Sequence, residues 1–175
     1  MLTKDNNGKV MENFLKYPDR EFHVRELGQI TKLSPPGILK IIKKLEKSEL
    51  VKIEHGRLTT NIKSSKTEKF IALKKSWNLF SLYNSGLIEY LKEKYEEPEA
   101  IVLFGSYSKG EDNSKSDIDI AIITNKTKEL RFMEFEKKLA RKISVQEIKI
   151  KEAEKEFLNA LANGAVLYGY LQVLK

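Results

Sequence analysis

Two short segments in the second half of the chain constrain its fold more than any other feature. Residues 100–104 (Ala-Ile-Val-Leu-Phe) form a continuous apolar run of strand length that stops at Gly105-Ser106. Residues 117–123 (Asp-Ile-Asp-Ile-Ala-Ile-Ile) alternate with a period of two, which is typical of a β-strand with one buried face. The isoleucines then share one face of the strand, while Asp117 and Asp119 share the other. We therefore expect a sheet that holds two carboxylates side by side.

The two aspartates predict a site for a divalent metal. Carboxylates two residues apart on a strand lie about 6–7 Å apart at the backbone, and burying both without a cation is costly. Mg²⁺ favours such oxygen ligands and usually binds one or two carboxylates together with substrate phosphates. Gly105 allows the backbone to approach a phosphate, and Ser106 can donate a hydrogen bond to it. These parts predict a site for a metal-bound nucleoside triphosphate; the alternative is a hairpin with a surface Asp-x-Asp.

The same residues resemble the DNA polymerase β-like nucleotidyltransferase superfamily. Gly105-Ser106, followed ten residues later by Asp117-x-Asp119, matches its signature. Residues 104–119 are similar to the minimal nucleotidyltransferases, which include the antitoxins paired with HEPN toxins, and the resemblance runs from about residue 98 to 175. It implies that the aspartates bind Mg²⁺ and that ATP is the substrate. The residues it implies for nucleotide binding are Gly105, Ser106, Lys109, Gly110 and Ser116.

Active members of that superfamily use a third carboxylate on a later strand, and the sequence leaves two alternatives for it. The candidate strand covers residues 143–150. If Ile143 and Val145 face the core, Gln146 faces the site together with Ser144. A bulge or a one-residue slip would instead turn Glu147 inward as the third catalytic residue beside the two aspartates. A neutral glutamine cannot act as a base, so the outcome separates a working enzyme from a nucleotide-binding relic.

The first 65 residues predict a separate basic module, because they hold 13 Lys and Arg against 8 Asp and Glu. Their pattern gives a helix, a short strand, two further helices and a hairpin around His55-Gly56. This order, and the sequence of residues 24–62, resembles a winged helix-turn-helix domain. The alternatives to DNA binding by this module are that its lysine-rich helix face is simply solvated, or that the module binds proteins. The resemblance implies DNA contacts by Ser34, Pro35, Gly37, Lys40, Lys43, Lys44 and Arg57.

We expect an α+β fold in three parts. Residues 1–65 form the winged helix-turn-helix, residues 66–96 a helical connector broken near Gly86, and residues 97–175 the nucleotidyltransferase domain with a mixed sheet flanked by helices. The connector carries an aromatic stripe that includes Phe70, Trp77 and Phe80, which packs between the modules or, alternatively, forms a homodimer interface. The pairing of the two domains resembles a group found mainly in archaea.

Composition excludes several classes of protein. The chain has no cysteine, which excludes a disulfide framework, a thiolate metal site and a cysteine nucleophile. No apolar run is long enough to span a bilayer, and residues 1–7 lack the apolar segment of a signal peptide. We therefore expect a cytoplasmic protein without a membrane partner.

The resemblance implies a Mg²⁺-dependent nucleotidyltransferase with a DNA-binding winged helix. It would move AMP from ATP to a hydroxyl of a protein or small molecule, and the antitoxin resemblance suggests a tyrosine of a HEPN-type toxin as acceptor. The alternative is a DNA-binding transcriptional regulator whose second domain senses a nucleotide or has lost its activity.

Overall fold

The computed structural model describes residues 5–56 and 60–172. The chain forms two compact units that divide between Lys74 and Lys75. This division lies inside one long helix and within the segment that the sequence predicts as a connector.

The N-terminal unit contains three helices followed by a two-stranded antiparallel sheet. The carboxylate of Asp5 caps the first helix by accepting from the Gly8 backbone N–H at 2.7 Å, and Ser34 caps the third, which begins with two prolines. The predicted order of elements is confirmed. The elements are α1 (Asn6–Lys16), α2 (Val24–Thr31), α3 (Pro35–Lys47), β1 (Val51–His55) and β2 (Thr60–Ser64).

One apolar face of each helix builds the core of this unit. Phe14 of α1 meets Phe22 edge-to-face with ring centroids 5.1 Å apart, and Phe22 forms a β-bridge with Ile62 of β2. Ile38 and Ile42 of α3 are also buried, as their spacing predicts. The opposite face of α3 is left exposed.

The C-terminal unit combines helices with a four-stranded sheet. Gly86, with a φ of 83°, breaks the helical segment where the sequence predicts. The segment directly after Phe104 begins with a short helix. The elements are α4 (Glu68–Ser85, in which the two units divide), α5 (Leu87–Tyr95), β3 (Ala100–Phe104), α6 (Gly105–Lys109), β4 (Ile118–Ile123), α7 (Met133–Leu139), β5 (Ile143–Ile148), a 3₁₀ turn (Ile150–Glu152), α8 (Lys155–Ala162) and β6 (Ala165–Gly169).

The sheet is mixed, with strand order β5-β4-β3-β6. β3 is antiparallel to both β4 and β6, whereas β4 and β5 are parallel. Ile118, Ile120 and Ile122 of β4 pack in a large core with residues of α4 and α5. The other face carries a smaller core in which Ala121 packs with Leu161 of α8. The predicted α+β class and the two faces of β4 are therefore confirmed.

In the part of the chain that the structure describes, no helix has both the length and the apolar character needed to cross a membrane.

Candidate active site

The end of β3 and the start of β4 lie at the same edge of the sheet. The antiparallel register pairs Phe104, the last residue of β3, with Asp119 of β4. Gly105 follows Phe104 directly, and Asp117 immediately precedes β4. The fold thus brings Gly105-Ser106 and the two aspartates together, although they are separated by a ten-residue segment in the sequence.

Gly105 is required at this position for two reasons. Its φ of +73° lies in the left-handed region that side chains rarely adopt. A Cβ atom on residue 105 would also lie 2.5 Å from Oδ2 of Asp119, which is closer than atoms approach without bonding. The Asp119 carboxylate therefore packs directly against the backbone at the start of α6. Ser106 follows in the first turn, and within the described residues its hydroxyl has no hydrogen-bond partner.

Burial raises the pKa of Asp119 above its ordinary value, and the negative charge of Asp117 raises this pKa further. Both causes disfavour the ionised carboxylate, and both would be offset by a cation between the two side chains. Because a metal binds only the ionised form, metal binding should weaken as the pH falls through this raised pKa. The electrostatic environment of the two carboxylates therefore favours binding of a cation between them.

The other residues predicted for nucleotide binding lie at the end of α6 and in the segment that joins α6 to β4. Lys109 is the exposed last residue of α6, about 6 Å along the helix axis from Gly105. Gly110 ends the helix in the left-handed conformation. Ser116 accepts a hydrogen bond from the backbone N–H of Asn113 at 3.0 Å, which shapes the loop and leaves the hydroxyl proton of Ser116 for another acceptor.

The prediction that Glu147 is a third catalytic residue is wrong. The parallel register of β4 and β5 is regular and pairs Asp119 with Ser144, Ala121 with Gln146, and Ile122 with Glu147. Since paired residues of a parallel sheet share a face, Ser144 and Gln146 lie on the aspartate face and Glu147 on the opposite one.

On that opposite face Glu147 has partners of its own. It accepts hydrogen bonds from the Tyr95 hydroxyl at 2.5 Å and from the Lys128 backbone N–H at 2.8 Å. Burial and the Glu147 carboxylate both raise the pKa of Tyr95, so the phenol keeps its proton and stays a donor. The role of Glu147 is thus to anchor α5 and the segment after β4 to β5.

A comparison with protein families agrees with this geometry. Residues 86–171 match the family model described as "Polymerase beta, Nucleotidyltransferase". The match supports a nucleotidyltransferase domain similar to the polymerase β type in the C-terminal unit. The matched range includes the complete sheet, Gly105-Ser106 and both aspartates of the candidate site.

Two further comparisons contribute no argument. No curated protein matches the chain. Among solved structures, Lactococcus lactis ZitR, in a mutant form, is similar with a TM-score of 0.39 and 18% sequence identity, over 50% of this chain and 60% of that chain. A likeness this low bears on neither fold nor function.

The C-terminal unit provides two carboxylates, those of Asp117 and Asp119, as possible ligands for a cation. Among the described residues, no group of three or more His, Cys, Asp or Glu side chains could hold a metal ion. Two carboxylates fit Mg²⁺, which completes its shell with water and substrate phosphates, whereas they do not form the protein cage that Ca²⁺ or Zn²⁺ prefers. The residues present therefore fit a metal that arrives with a nucleotide.

A buried polar network, which sequence reasoning missed, holds the loop that presents Asp117. Asp112 and Arg141 form an ion pair at 3.3 Å, with side chains 0% and 2% exposed. The amide of Asn78 in α4 donates to Asp112 at 2.8 Å and to the backbone oxygen of Tyr107 at 2.9 Å. The network connects α4, the end of α6 and the start of β5 to the middle of the loop. It therefore fixes the position from which the chain enters β4.

The residues predicted for DNA binding lie in the other unit. Ser34 caps α3, and Pro35 and Gly37 follow in its first turn. Lys40, Lys43 and Lys44 are exposed on the face of α3 opposite its buried isoleucines. Arg57 lies outside the described residues. The two predicted sets of site residues are thus carried by different units.

Proposed function

We propose that the chain transfers a nucleoside monophosphate from a nucleoside triphosphate to a hydroxyl group in a Mg²⁺-dependent reaction, with ATP as the expected donor. The observation that carries this proposal is the contact of Asp119 with Gly105, beside Asp117. Asp119 lies against the Gly105 backbone, and Asp117 precedes it by two residues, which supports a metal site formed by both carboxylates next to the bound triphosphate. The family match of the domain supports the same reaction class.

Each residue of the site has a defined part in this reaction. Asp117 and Asp119 would hold Mg²⁺, which when bound neutralises charge on the triphosphate and on the leaving group. The absence of a side chain at Gly105 lets the Asp119 carboxylate, and a cation bound to it, approach the backbone at the start of α6, and the Ser106 hydroxyl can donate to a phosphate oxygen. Neither Ser144 nor Gln146 can remove the proton of the acceptor hydroxyl. Catalysis would then rest on positioning and charge stabilisation, which dominate phosphoryl transfer.

The acceptor in this proposal is a hydroxyl of a protein or of a small molecule. Resemblance to the antitoxins paired with HEPN toxins supports a protein acceptor, such as a tyrosine of a HEPN-type toxin.

Replacing either Asp117 or Asp119 with asparagine is expected to weaken Mg²⁺-dependent ATP binding at least about 10-fold and to abolish label transfer from α-labelled ATP. Asparagine keeps the size of the side chain but removes the charge that the cation needs, and loss of even an outer-shell partner typically costs 10–100-fold in metal affinity. Glu147→Gln is the matched control because this carboxylate lies on the opposite face. ATP binding that persists in the Asp119→Asn variant, or in the presence of a chelator, would contradict the proposal.

A second candidate function, a nucleotide-sensing DNA-binding regulator, is favoured by Ser144 and Gln146. These neutral residues occupy the face where a base would be needed, so ATP could bind without being consumed. In either function we propose that the N-terminal unit is a winged helix that contacts DNA through the N-terminal end and the lysine face of α3. The sensing function requires that Mg²⁺-ATP changes DNA affinity while no nucleotide label is transferred.

Replacing Lys40, Lys43 and Lys44 together with alanine is expected to weaken DNA binding and to reduce its salt dependence. Each lysine that contacts a phosphate releases counterions, so the slope of log K against log salt should fall by about 1 for each lost contact. Fluorescence anisotropy of a labelled duplex at several salt concentrations measures this slope. A variant with alanine at the exposed Lys75, Lys151 and Lys155 has the same change in net charge. Equal slopes for the two triple variants would show that α3 is not the DNA-binding face.

A further inference from the structure

A cavity of about 440 Å³ opens directly beside Asp117. Its walls are residues 114–117 of the loop before β4, residues of α7, and residues 140–142, which join α7 to β5. Neither Gly105 nor Ser106 lines it. The cavity is thus adjacent to the candidate metal site and includes Ser116 of the predicted nucleotide-binding residues, but it does not reach Gly105-Ser106.

The order of strands places this cavity on the side from which an acceptor must attack. β4, which carries Asp119, lies between β3, which leads into Gly105-Ser106, and β5. In an in-line transfer the attacking oxygen and the leaving oxygen lie on opposite sides of the phosphorus atom. If the leaving phosphates lie over Gly105-Ser106, the attacking hydroxyl approaches from the side of β5. The cavity opens on the β5 side of Asp117, at the end of the sheet where β4 begins.

The charges around the cavity are not balanced. Lys142 pairs with Glu136 at 3.2 Å, and Arg141 is held by the buried Asp112. Lys115 and Lys137 are exposed, and neither forms an ion pair with any residue that the structure describes. Asp117 also lines the cavity, and a cation bound to it would neutralise its negative charge, so that the ammonium groups of Lys115 and Lys137 remain available to an anionic ligand.

We propose that this cavity binds the acceptor, and that the acceptor hydroxyl lies in a protein segment with acidic side chains next to it. The inference rests on the proposed transfer reaction. Lys115 and Lys137 contact the acidic side chains, and Met133, which is 82% exposed, offers an apolar contact at the rim. A peptide fits better than a nucleic acid because none of the lining residues is aromatic, whereas single-stranded nucleic acids are typically held by stacking on aromatic side chains.

Peptide binding by the full chain tests this proposal without requiring turnover. The probes are fluorescein-labelled peptides with a central tyrosine flanked by glutamates, by lysines or by glutamines, titrated in the presence of Mg²⁺ and a non-hydrolysable ATP analogue. Anisotropy should show the glutamate peptide bound at least about 10-fold more tightly than the other two, since charge pairs across an interface favour one partner and penalise the like-charged one. The double variant Lys115→Glu/Lys137→Glu should lose this preference. Lys151→Glu/Lys155→Glu, with the same charge change elsewhere on the domain, should keep it.

Several results would overturn the proposal. These are equal binding of the three peptides, no peptide binding, or an equal loss of binding in both double variants. A labelled single-stranded oligonucleotide whose binding depends on Lys115 and Lys137, while peptide binding does not, would assign the cavity to a nucleic acid instead. Mg²⁺-ATP binding is measured separately for each protein. Failure of ATP binding in the unmodified chain would contradict the proposed function, whereas loss of the peptide preference alone would contradict only the acceptor assignment.

Discussion

Replacing Ser144 with aspartate is expected to raise the rate of nucleotidyl transfer by about 10²–10⁴-fold, the usual contribution of a positioned general base. Ser144 lies directly beside Asp119 in the parallel register of β4 and β5 and on the same face. Neighbouring strands are about 4.8 Å apart, so the new carboxylate can reach an acceptor hydroxyl next to the metal. Single-turnover transfer from α-labelled ATP, with the same acceptor for both proteins, measures the gain.

Two variants of the same strand make this prediction specific. Gln146→Asp places a carboxylate on the same face but beside Ala121, one pleat repeat farther along β5, so its gain should be smaller. Glu147→Gln changes a carboxylate on the opposite face and should leave the rate unchanged. If Ser144→Asp is no faster, or if Glu147→Gln reduces transfer as strongly as the loss of Asp119, the assignment of the two faces to their roles fails.

The melting temperature of Ser144→Asp provides a second test that does not require catalysis. A third carboxylate beside Asp117 and Asp119 adds repulsion in the absence of metal, because like charges at one site disfavour the ionised state. Ser144→Asp should therefore melt at a lower temperature than the unmodified chain in a chelator and recover when Mg²⁺ and ATP are added. Recovery follows from linkage, since a ligand that binds only the folded state stabilises it.

The core of the candidate site could be predicted from the sequence because it depends on local patterns. The alternation in β4 assigns its isoleucines and aspartates to opposite faces before any partner strand is known. The short distance from Gly105 to Asp119 follows when two adjacent strands are antiparallel, since the end of one then meets the start of the next. A strand with one fully buried face leaves little freedom in its register.

The choice between Gln146 and Glu147 could not be made in this way. β5 is an edge strand, and its residues are half-buried or exposed on both faces. Its sequence therefore lacks a strong alternation, and only its pairing with β4 determines which side chain faces the aspartates. The five residues of α6 are likewise too few to show a helical period, so the sequence alone does not establish this helix.

The network around Asp112 could not be predicted from the sequence for a different reason. Asp112 and Arg141 are far apart in the sequence, and each lies in a polar stretch where a charged residue is usually solvated. Only the tertiary structure shows that both are buried. A buried charged side chain destabilises the fold unless an opposite charge lies next to it, and here that charge comes from a residue distant in the sequence.

Replacing Arg141 with methionine is expected to lower the free energy of unfolding of the C-terminal unit by about 3–5 kcal/mol, the typical cost of breaking a buried ion pair by removing one member. Methionine keeps much of the side-chain volume, so the loss reflects the removed positive charge beside Asp112 rather than a cavity. Chemical denaturation followed by the fluorescence of Trp77, the single tryptophan of the chain, reports on this unit because Trp77 lies next to Asn78 in α4.

The neighbouring Lys142 provides a matched control. Its ion pair with Glu136 is largely exposed, so Lys142→Met should cost less than about 1 kcal/mol. Adding Asp112→Asn to Arg141→Met removes the buried negative charge and keeps an oxygen for the Asn78 amide, so part of the stability should return. Similar losses for Arg141→Met and Lys142→Met would contradict the role of burial. Because the same network positions the loop before β4, the folded fraction of Arg141→Met should also bind Mg²⁺-ATP more weakly, which a purely structural ion pair would leave unchanged.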